Sequence, residues 1–229
     1  YTEEERDTRA SGVRQFDYVN PANRDVQVEM ERVVTAHLKA VGALVDTAYY
    51  AEPDFDEQDF DVEATVVIPV RNREKTICNA VDSALSQETS FKYNVIVVDN
   101  HSTDNTTKLL DGYADERLIH IIPGRTDLGI GGCWNVAVDD SRCGRFAVQL
   151  DSDDLYSSPQ TLQTIVDAFY EQRAAMIVGS YRMCDFNLNT LPPGLISHAE
   201  WTDRNGCNNA LRINGLGAPR AFFTPLLRQ

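Results

Sequence analysis

The sequence predicts an α/β protein with an open, mostly parallel sheet. Short apolar runs rich in β-branched residues, such as Thr65–Val70 and Asn94–Val98, alternate along the chain with segments of helical period. The runs are continuously apolar, which is typical of parallel strands that are buried on both faces. Strands that alternate with helices in this way form βαβ units, so we expect a Rossmann-like sheet covered by helices.

The elements follow one another in a regular order. The predicted strands are residues 65–70, 94–98, 118–122, 145–150 and 175–179. The predicted helices are residues 73–87, a short helix through 108–110, residues 131–139 and residues 159–172. The first of these helices is predicted from apolar residues at i, i+3, i+4, i+7 and i+8, beginning at Ile77, with Asn72 as its N-cap.

Three regions are predicted from composition. Residues 1–63 form an N-terminal extension, with one amphipathic helix over 25–50 and an acidic linker over 52–63 that carries seven acids in twelve positions. The helix has an apolar stripe that must dock on its own domain or on a second chain, as a homodimer. The linker is expected to be solvated. Residues 64–180 form the α/β domain, and the less periodic residues 181–229 form loops and short helices over one edge of the sheet.

Charge and cysteine content exclude several classes of partner. The 229 residues have a formal net charge of −14, which argues against nucleic acid and against anionic membrane surfaces. No apolar run is long enough for a spanning helix. The five cysteines are widely spaced and include no C-x-x-C pair, which favours reduced thiols and a cytoplasmic location.

A cluster of carboxylates directly follows the fourth predicted strand. Asp151, Asp153 and Asp154 leave the strand end together, and such a cluster repels itself unless a cation is near. Mg²⁺ is held in many proteins by one or two carboxylates together with substrate phosphates. The cluster therefore predicts a divalent cation and a phosphate-bearing substrate, although these residues could also simply turn the chain and cap the next helix.

Polar segments follow four of the predicted strands. They are residues 69–74, 99–102, 124–132 and 151–154. In an open α/β sheet, ligands bind beyond the carboxyl ends of the strands. We therefore expect these four segments to converge on one ligand site.

Four motifs resemble those of the inverting family-2 glycosyltransferases, which have the GT-A fold. They are TVVIPVRNRE, VIVVDNHSTDNT, RTDLGIGGCWNVAV and the DxD-like QLDSDDLY, in this order between residues 65 and 156. The resemblance implies transfer of a sugar, with inversion, from a nucleotide-diphospho-sugar to a hydroxyl group of a glycan or other acceptor. It also implies Mn²⁺ or Mg²⁺ as the cofactor. UDP is the nucleotide expected first and GDP second.

The first two motifs supply the expected nucleotide pocket. By resemblance, Pro69, Arg71 and Glu74 line the pocket and Asp99 contacts the base. Asn100 stands where family members often have a second Asp. Because an amide both donates and accepts hydrogen bonds, this change leaves the identity of the base open.

The third motif is expected to approach the diphosphate and the ribose. By resemblance, Gly129 and Asn135 belong to this loop and helix. Trp134 occupies a position where the family often has Arg, so Arg125 is the candidate for the missing positive charge. The three glycines of this loop could instead serve only tight packing.

The fourth motif supplies the expected metal and sugar contacts. By resemblance, Asp153 binds the metal, Asp151 faces the ribose or the sugar and also the metal, and Asp154 contacts the metal or the donor sugar. Ser152 belongs to the same nucleotide-sugar-binding set.

The catalytic base has no firm candidate in the chain. Family members usually supply it from an acidic pair beyond the segment that INGLGAPRAFFTPLLRQ resembles, so we expect that pair to lie beyond Gln229 and residues 181–229 to be a partial acceptor-side region. Glu200 and Asp203 are the weak candidates within the sequence.

Two other functions remain open at this stage. A nucleotidyltransferase would also combine an α/β sheet with an acidic metal site, but it would need a glycine-rich triphosphate loop where this chain reads PVRNRE. A non-catalytic scaffold on the same fold would use the long N-terminal helix to dock a partner.

Overall fold

The computed structural model describes residues 24–45, 51–197 and 219–229. The chain divides into a smaller unit, Tyr1–Tyr50 with Ser180–Gly217, and a larger unit, Ala51–Gly179 with Ala218–Gln229. The strands are β1 (Ala64–Val70), β2 (Tyr93–Asp99), β3 (Leu118–Ile121), β4 (Phe146–Gln149), β5 (Met176–Val178), β6 (Tyr181–Cys184), β7 (Thr190–Ile196) and β8 (Arg220–Phe223). The helices are α1 (Arg24–Ala40), α2 (Ile77–Leu85), α3 (Thr106–Leu110), α4 (Ile130–Asp139), α5 (Thr161–Gln172) and α6 (Thr224–Leu227).

The larger unit is built on a six-stranded sheet with the order β3-β2-β1-β4-β8-β5. Strands β3, β2, β1 and β4 are parallel, which confirms the predicted mostly parallel α/β fold. Val70 at the end of β1 is paired with Asp99 at the end of β2. Since the four parallel strands point the same way, the loops that follow them emerge at one edge of the sheet.

Helices cover both faces of this sheet. Successive side chains of a strand point to opposite faces, so Val66 and Ile68 pack in one core with α2 and α5. Val67, between them, packs in a second core with α4. The continuous apolar run of β1 is therefore explained by burial on both faces.

Helix α2 begins later than the predicted residue 73. Its N-cap is Thr76, and the predicted cap, Asn72, instead has a positive φ of 55° in the preceding loop. The Asn72 side-chain oxygen accepts a hydrogen bond from the Thr103 backbone N–H at 2.7 Å. The prediction of Asn72 as N-cap is wrong because this long-range contact takes the side chain.

Strand β8 lies inside the sheet, where the sequence predicted only loops and short helices over an edge. It pairs antiparallel with β4 on one side, through Phe146 and Phe223, and with β5 on the other, through Ile177 and Ala221. That prediction is therefore wrong for Arg220–Phe223. The strand has only four residues, and both of its partners are distant in sequence.

The acidic segment before β1 contains one buried anchor. The exposed fraction of Phe55 is 5%, and its ring makes edge-to-face contacts with Phe146, Tyr170 and Phe223 at centroid distances of 5.1–5.3 Å. Its acidic neighbours Asp54 and Asp56 are exposed. Phe55, together with contacts such as the ion pair of Glu52 with Arg173 at 2.6 Å, thus attaches the segment to the rest of the larger unit, which its charge pattern did not indicate.

In the smaller unit, α1 ends at Ala40, ten residues before the predicted end at residue 50. Gly42 has a φ of 70°, and the Ala43 N–H donates to the Leu38 carbonyl at 2.9 Å. These are features of a helix C-terminus that ends on a left-handed glycine. Residues 46–50 lie outside the described ranges. Homodimerisation through this helix stays a prediction.

Strands β6 and β7 form an antiparallel hairpin in the smaller unit. Its turn is closed by Asp185, whose Oδ1 accepts hydrogen bonds from the backbone N–H groups of Asn187 and Asn189, both at 2.9 Å. The prediction of loops and short helices is therefore also wrong for residues 181–184 and 190–196.

None of the described helices is long and apolar enough to cross a bilayer. The four cysteines within the described ranges are free thiols, namely Cys78, Cys133, Cys143 and Cys184. Cys133 and Cys143 are buried, and Cys207 lies outside the described ranges.

Candidate functional site

The loops after β1 and β2 are joined to each other by hydrogen bonds. The Asn100 N–H donates to the Val70 carbonyl at 2.8 Å, and the Asn72 N–H donates to Ser102 Oγ at 2.9 Å. The Arg73 N–H donates to Thr106 Oγ1 at 2.8 Å. These contacts satisfy backbone groups that helix or sheet pairing leaves open.

Three predicted pocket residues lie at the end of β1 and on the loop that follows it. Pro69 is half-buried in β1, and Arg71 and Glu74 are exposed. Glu74 Oε2 accepts hydrogen bonds from Asn105 at 3.0 Å and 2.8 Å. Glu74 therefore joins the first two loops, in addition to any contact with a ligand.

Asp99 is fully buried, and both of its carboxylate oxygens are engaged. Oδ1 accepts from the Ser102 N–H at 2.9 Å, and Oδ2 accepts from Thr107 Oγ1 at 2.5 Å. The Nε2 atom of His120 lies 3.7 Å from the same Oδ2. In this arrangement Asp99 holds the second loop in place.

Asn100 has a buried hydrogen-bond acceptor that is not used. The residue is 7% exposed, and its Nδ2 donates to the Leu128 carbonyl. Its Oδ1 has no partner among the described residues. Leaving a buried acceptor unpaired costs about 1–3 kcal/mol, so this oxygen is suited to receive a hydrogen bond from a ligand.

The third loop leads into the exposed N-terminus of α4. Gly129 is the N-cap and makes no side-chain capping bond. A Cβ atom on Gly129 would have no neighbour within 4 Å, whereas one on Gly132 would lie 2.8 Å from Leu128 Cδ2. Gly132 is thus explained by packing, and Gly129 borders open space at a helix end that favours anions.

The two remaining residues predicted in this region are both exposed. Asn135 lies on α4, and Arg125 lies in the loop before it. The Arg125 guanidinium forms an ion pair with Asp127 at 2.8 Å. The backbone carbonyl oxygen of Arg125 lies 2.9 Å from His101 Nε2. The positive charge of Arg125 therefore already has a local partner.

The acidic cluster follows β4 as predicted. Asp151 is half-buried, Ser152 is buried, and Asp153 and Asp154 are exposed. Asp153 Oδ2 lies 3.5 Å from Arg73 Nε in the first loop. The pKa of Asp154 is raised to about 6. The largest cause is desolvation of the Asp154 carboxyl group, and the negative charges of Asp151 and Asp153 add to it.

The donor chemistry of this cluster fits a hard divalent cation bound together with a ligand. Among the described residues, no three His, Cys, Asp or Glu side chains converge closely enough to hold a metal alone. After desolvation, the negative charges of Asp151 and Asp153 also raise the pKa of Asp154, and a cation would offset these charges. Mg²⁺ sites with substrate phosphates need only one or two protein carboxylates, so Asp151 and Asp153 suffice in type and number.

Sequence reasoning missed two side chains of the site. Gln149 at the end of β4 donates from Nε2 to Asp151 Oδ1 at 2.7 Å, and Arg220 on β8 donates from Nε to Gln149 Oε1 at 2.9 Å. A polar residue within the apolar run FAVQL was a signal for Gln149. No local pattern indicates Arg220. The base candidates Glu200 and Asp203 lie outside the described ranges.

Comparison with known proteins identifies a family and several relatives of this chain. The model of glycosyl transferase family 2 matches residues 65–224. The Escherichia coli UDP-Glc:alpha-D-GlcNAc-diphosphoundecaprenol beta-1,3-glucosyltransferase WfgD is 28% identical over 127 residues, covering 56% of this chain and 49% of WfgD. The Escherichia coli chondroitin synthase is 36% identical over 106 residues, covering 46% of this chain and 15% of that protein. The chain therefore spans half or less of the length of these two relatives.

A solved structure has the same fold. Residues 1–349 of Staphylococcus aureus TarS, in complex with UDP-GlcNAc, match with a TM-score of 0.53 and 24% identity, covering 72% of this chain and 46% of that one. At this level of identity the likeness bears on the fold alone, and it confirms the predicted GT-A fold.

Proposed function

The chain belongs to glycosyl transferase family 2, and from this membership and the geometry of the strand-end site we propose that it binds a nucleotide-diphospho-sugar and transfers the sugar to a hydroxyl acceptor. One observation supports this most directly. Three groups lie at the edge formed by the four parallel strands. They are a buried acceptor with no partner among the described residues, an exposed helix N-terminus and a carboxylate cluster, and they follow β2, β3 and β4 respectively. The acceptor suits the nucleotide base, the helix N-terminus suits the diphosphate, and the carboxylate cluster suits the metal that accompanies the sugar diphosphate.

Asn100, and not Asp99, is the proposed contact to the base. Both carboxylate oxygens of Asp99 are engaged within the protein, whereas Asn100 Oδ1 has no partner among the described residues. Its Nδ2 is held by Leu128, so the amide presents an acceptor only. Uracil and guanine can donate to it from a ring N–H, and cytosine can donate from its exocyclic amino group, so this acceptor alone does not select the base. UDP is proposed first and GDP second from the family resemblance.

The diphosphate is proposed to lie between the α4 N-terminus and the acidic cluster. The first N–H groups of α4 have no side-chain cap, and helix N-termini bind phosphate oxygens. Asp153, with Asp151, would hold Mn²⁺ or Mg²⁺, which when bound acts as a Lewis acid on the leaving diphosphate. The carboxylates cannot approach a diphosphate without such a cation, because both groups are negative.

Transfer would proceed by a single displacement. The acceptor hydroxyl oxygen forms a bond to the anomeric carbon while the bond from that carbon to the diphosphate oxygen breaks, and the nucleoside diphosphate leaves. Attack on the face opposite to the leaving group inverts the configuration. The hydroxyl proton passes to a general base, for which Glu200 and Asp203 are the candidates in the sequence, outside the described residues.

The names of the relatives are consistent with this donor class. WfgD is named as a transferase that uses UDP-Glc, and TarS was crystallised with UDP-GlcNAc. By analogy, we propose that this chain also acts in the synthesis of a polysaccharide or similar glycan.

The test is a thermal melt with UDP, GDP, CDP and dTDP, each with and without MnCl₂. A ligand at about 100 times its Kd adds about 2.7 kcal/mol to the free energy of unfolding, which is several degrees for a chain of this size. We expect a metal-dependent shift with UDP, or with GDP. Asp153→Ala should abolish it, while Asp61→Ala, an exposed acid outside the site, should keep it.

Two outcomes would overturn the proposal. The absence of a shift with any nucleotide would favour a non-catalytic scaffold. Release of pyrophosphate from a nucleoside triphosphate would instead identify a nucleotidyltransferase. Asn100→Ala should reduce the rise in melting temperature that UDP produces, with each protein compared with its own value in the absence of nucleotide.

A further inference from the structure

Gln149 links the acidic cluster to a strand that is distant in sequence. Its side chain is almost completely buried, with an exposed fraction of 2%. On one side, Nε2 donates a hydrogen bond to Asp151 Oδ1 at 2.7 Å. On the other side, Oε1 accepts a hydrogen bond from Arg220 Nε at 2.9 Å.

Arg220 determines which way the Gln149 amide points. A guanidinium has only donors, so it can face only the amide oxygen. The amide nitrogen is then directed at Asp151 Oδ1, which accepts its hydrogen bond. Arg220 therefore sets the orientation of Gln149, and Gln149 in turn holds one carboxylate oxygen of Asp151.

The β4–β8 pairing places Arg220 beside Gln149. Phe146, Ala147 and Val148 are paired with Phe223, Phe222 and Ala221, respectively. Continued by one residue, this antiparallel register brings Arg220 opposite Gln149. On its other side, Arg220 is paired with Val178 of β5. The guanidinium is thus carried on an interior strand, which limits its movement.

We propose that Arg220 and Gln149 are positioning residues for Asp151, an inference that rests on the function proposed above. Gln149 occupies one carboxylate oxygen, Oδ1, and leaves the other, Oδ2, for the metal or the sugar. A guanidinium bound directly to Asp151 could occupy both oxygens in a bidentate pair. With a neutral amide between them, the arginine stabilises the carboxylate without competing with the incoming cation.

The experiment is a calorimetric titration of UDP into the full chain in the presence of MnCl₂. Groups that orient the ligands of a metal typically change affinity by about 10–100-fold when they are removed. We expect Gln149→Leu and Arg220→Met each to lower UDP affinity in this range. The double variant should bind no more weakly than Gln149→Leu alone, because Arg220 acts on Asp151 through Gln149.

Two further variants separate positioning from a structural role. Arg220→Lys keeps a positively charged donor and should recover part of the affinity that Arg220→Met loses. Arg228→Met is the matched control, since Arg228 donates to the Val138 carbonyl at 2.8 Å and should leave affinity unchanged. The melting temperature of each free variant is measured alongside. If Gln149→Leu does not fold, the comparison of the two Arg220 variants decides the question.

The possible failures are distinguishable. If the parent protein binds no nucleotide, the proposed function fails, and this inference fails with it. If the parent binds UDP with Mn²⁺ and the Gln149 and Arg220 variants bind it equally well, only the positioning role is overturned. Additive losses of affinity in the double variant would overturn the inference that Arg220 acts on Asp151 through Gln149, because the two residues would then act independently.

Discussion

Glu74 Oε2 accepts two hydrogen bonds from Asn105, one from the backbone N–H at 3.0 Å and one from Nδ2 at 2.8 Å. In return, the Glu74 N–H donates to Asp104 Oδ2 at 3.1 Å. The loops after β1 and β2 are therefore tied together in both directions. A residue that the family resemblance predicts for the nucleotide pocket therefore also holds these two loops together.

Glu74→Ala should lower the free energy of unfolding by about 1 kcal/mol. A hydrogen bond to a charged group contributes about 1.5–3 kcal/mol when protected from water, and the exposure of this pair reduces that value. Urea denaturation measures the change. Glu57→Ala, which removes an exposed acid of the segment before β1, should be neutral. Equal stability of the two variants would show that the Glu74–Asn105 contact does not hold the loops.

Gly129→Ala should impair nucleotide binding without loss of stability. The added methyl group meets no atom within 4 Å in the free protein, but it would lie at the α4 N-terminus where the diphosphate is proposed to bind. We expect UDP affinity to fall on the order of tenfold, or about 1.4 kcal/mol, in a calorimetric titration with MnCl₂.

The control for Gly129 is Gly124→Ala. Gly124 is exposed in the same loop, and its Cβ position is also free of neighbours within 4 Å. It should preserve both affinity and melting temperature. An equal loss of UDP affinity in the two variants would show that the α4 N-terminus is not the specific binding site of the diphosphate.

Phe55→Ala should be among the most destabilising changes in the larger unit. The ring packs against three other aromatic rings, and removal of a buried Phe typically costs about 3–5 kcal/mol. Phe186→Ala makes the same chemical change at a side chain that is 88% exposed, and it should cost no more than about 0.5 kcal/mol. Chemical denaturation of both variants tests whether Phe55 anchors the acidic segment.

Asp140→Asn should reduce stability at neutral pH but not in acid. Hydrogen bonds from the Arg142 guanidinium, at 2.8 Å and 2.7 Å, hold the pKa of Asp140 below its usual range. A carboxyl group with a depressed folded-state pKa stabilises the protein above its unfolded pKa, about 3.9, and loses that contribution as pH falls through the folded-state pKa.

The difference between parent and Asp140→Asn should therefore be about 1 kcal/mol at pH 7 and should vanish below the folded-state pKa. Thermal melts across pH measure it. Asp139→Asn, one residue earlier and exposed, provides the control and should leave the melting temperature at pH 7 unchanged. A difference for Asp140→Asn that persists unchanged into acid would assign the effect to packing and not to charge.

Much of the fold could be predicted because its signals are local. Strand β1 reads as a continuous apolar run, and α2 has apolar residues at helical spacing. Strand β8 could not be predicted, because its four residues become a strand only when β4 and β5 lie on either side of them. The same holds for Phe55, whose burial depends on rings that are more than 90 residues away in the chain.

For the candidate site, the sequence by itself determined which chemical groups gather at the carboxyl edge. The succession of strands along the chain follows from the alternating patterns. Asp99, Asn100 and the acidic cluster come directly after predicted strands, and Gly129 lies in the loop that follows the third. Parallel strands bring such positions to one edge whatever their separation in the chain.

Only the tertiary structure decided how these groups are used. It buries the Asp99 carboxylate against Ser102 and Thr107 and leaves Asn100 Oδ1 without a partner in the part of the chain that the structure describes. It also brings Arg220 to Gln149 and, through it, to Asp151. The physical reason is that hydrogen bonds depend on distances of about 3 Å between specific atoms, and the packing of distant segments sets those distances.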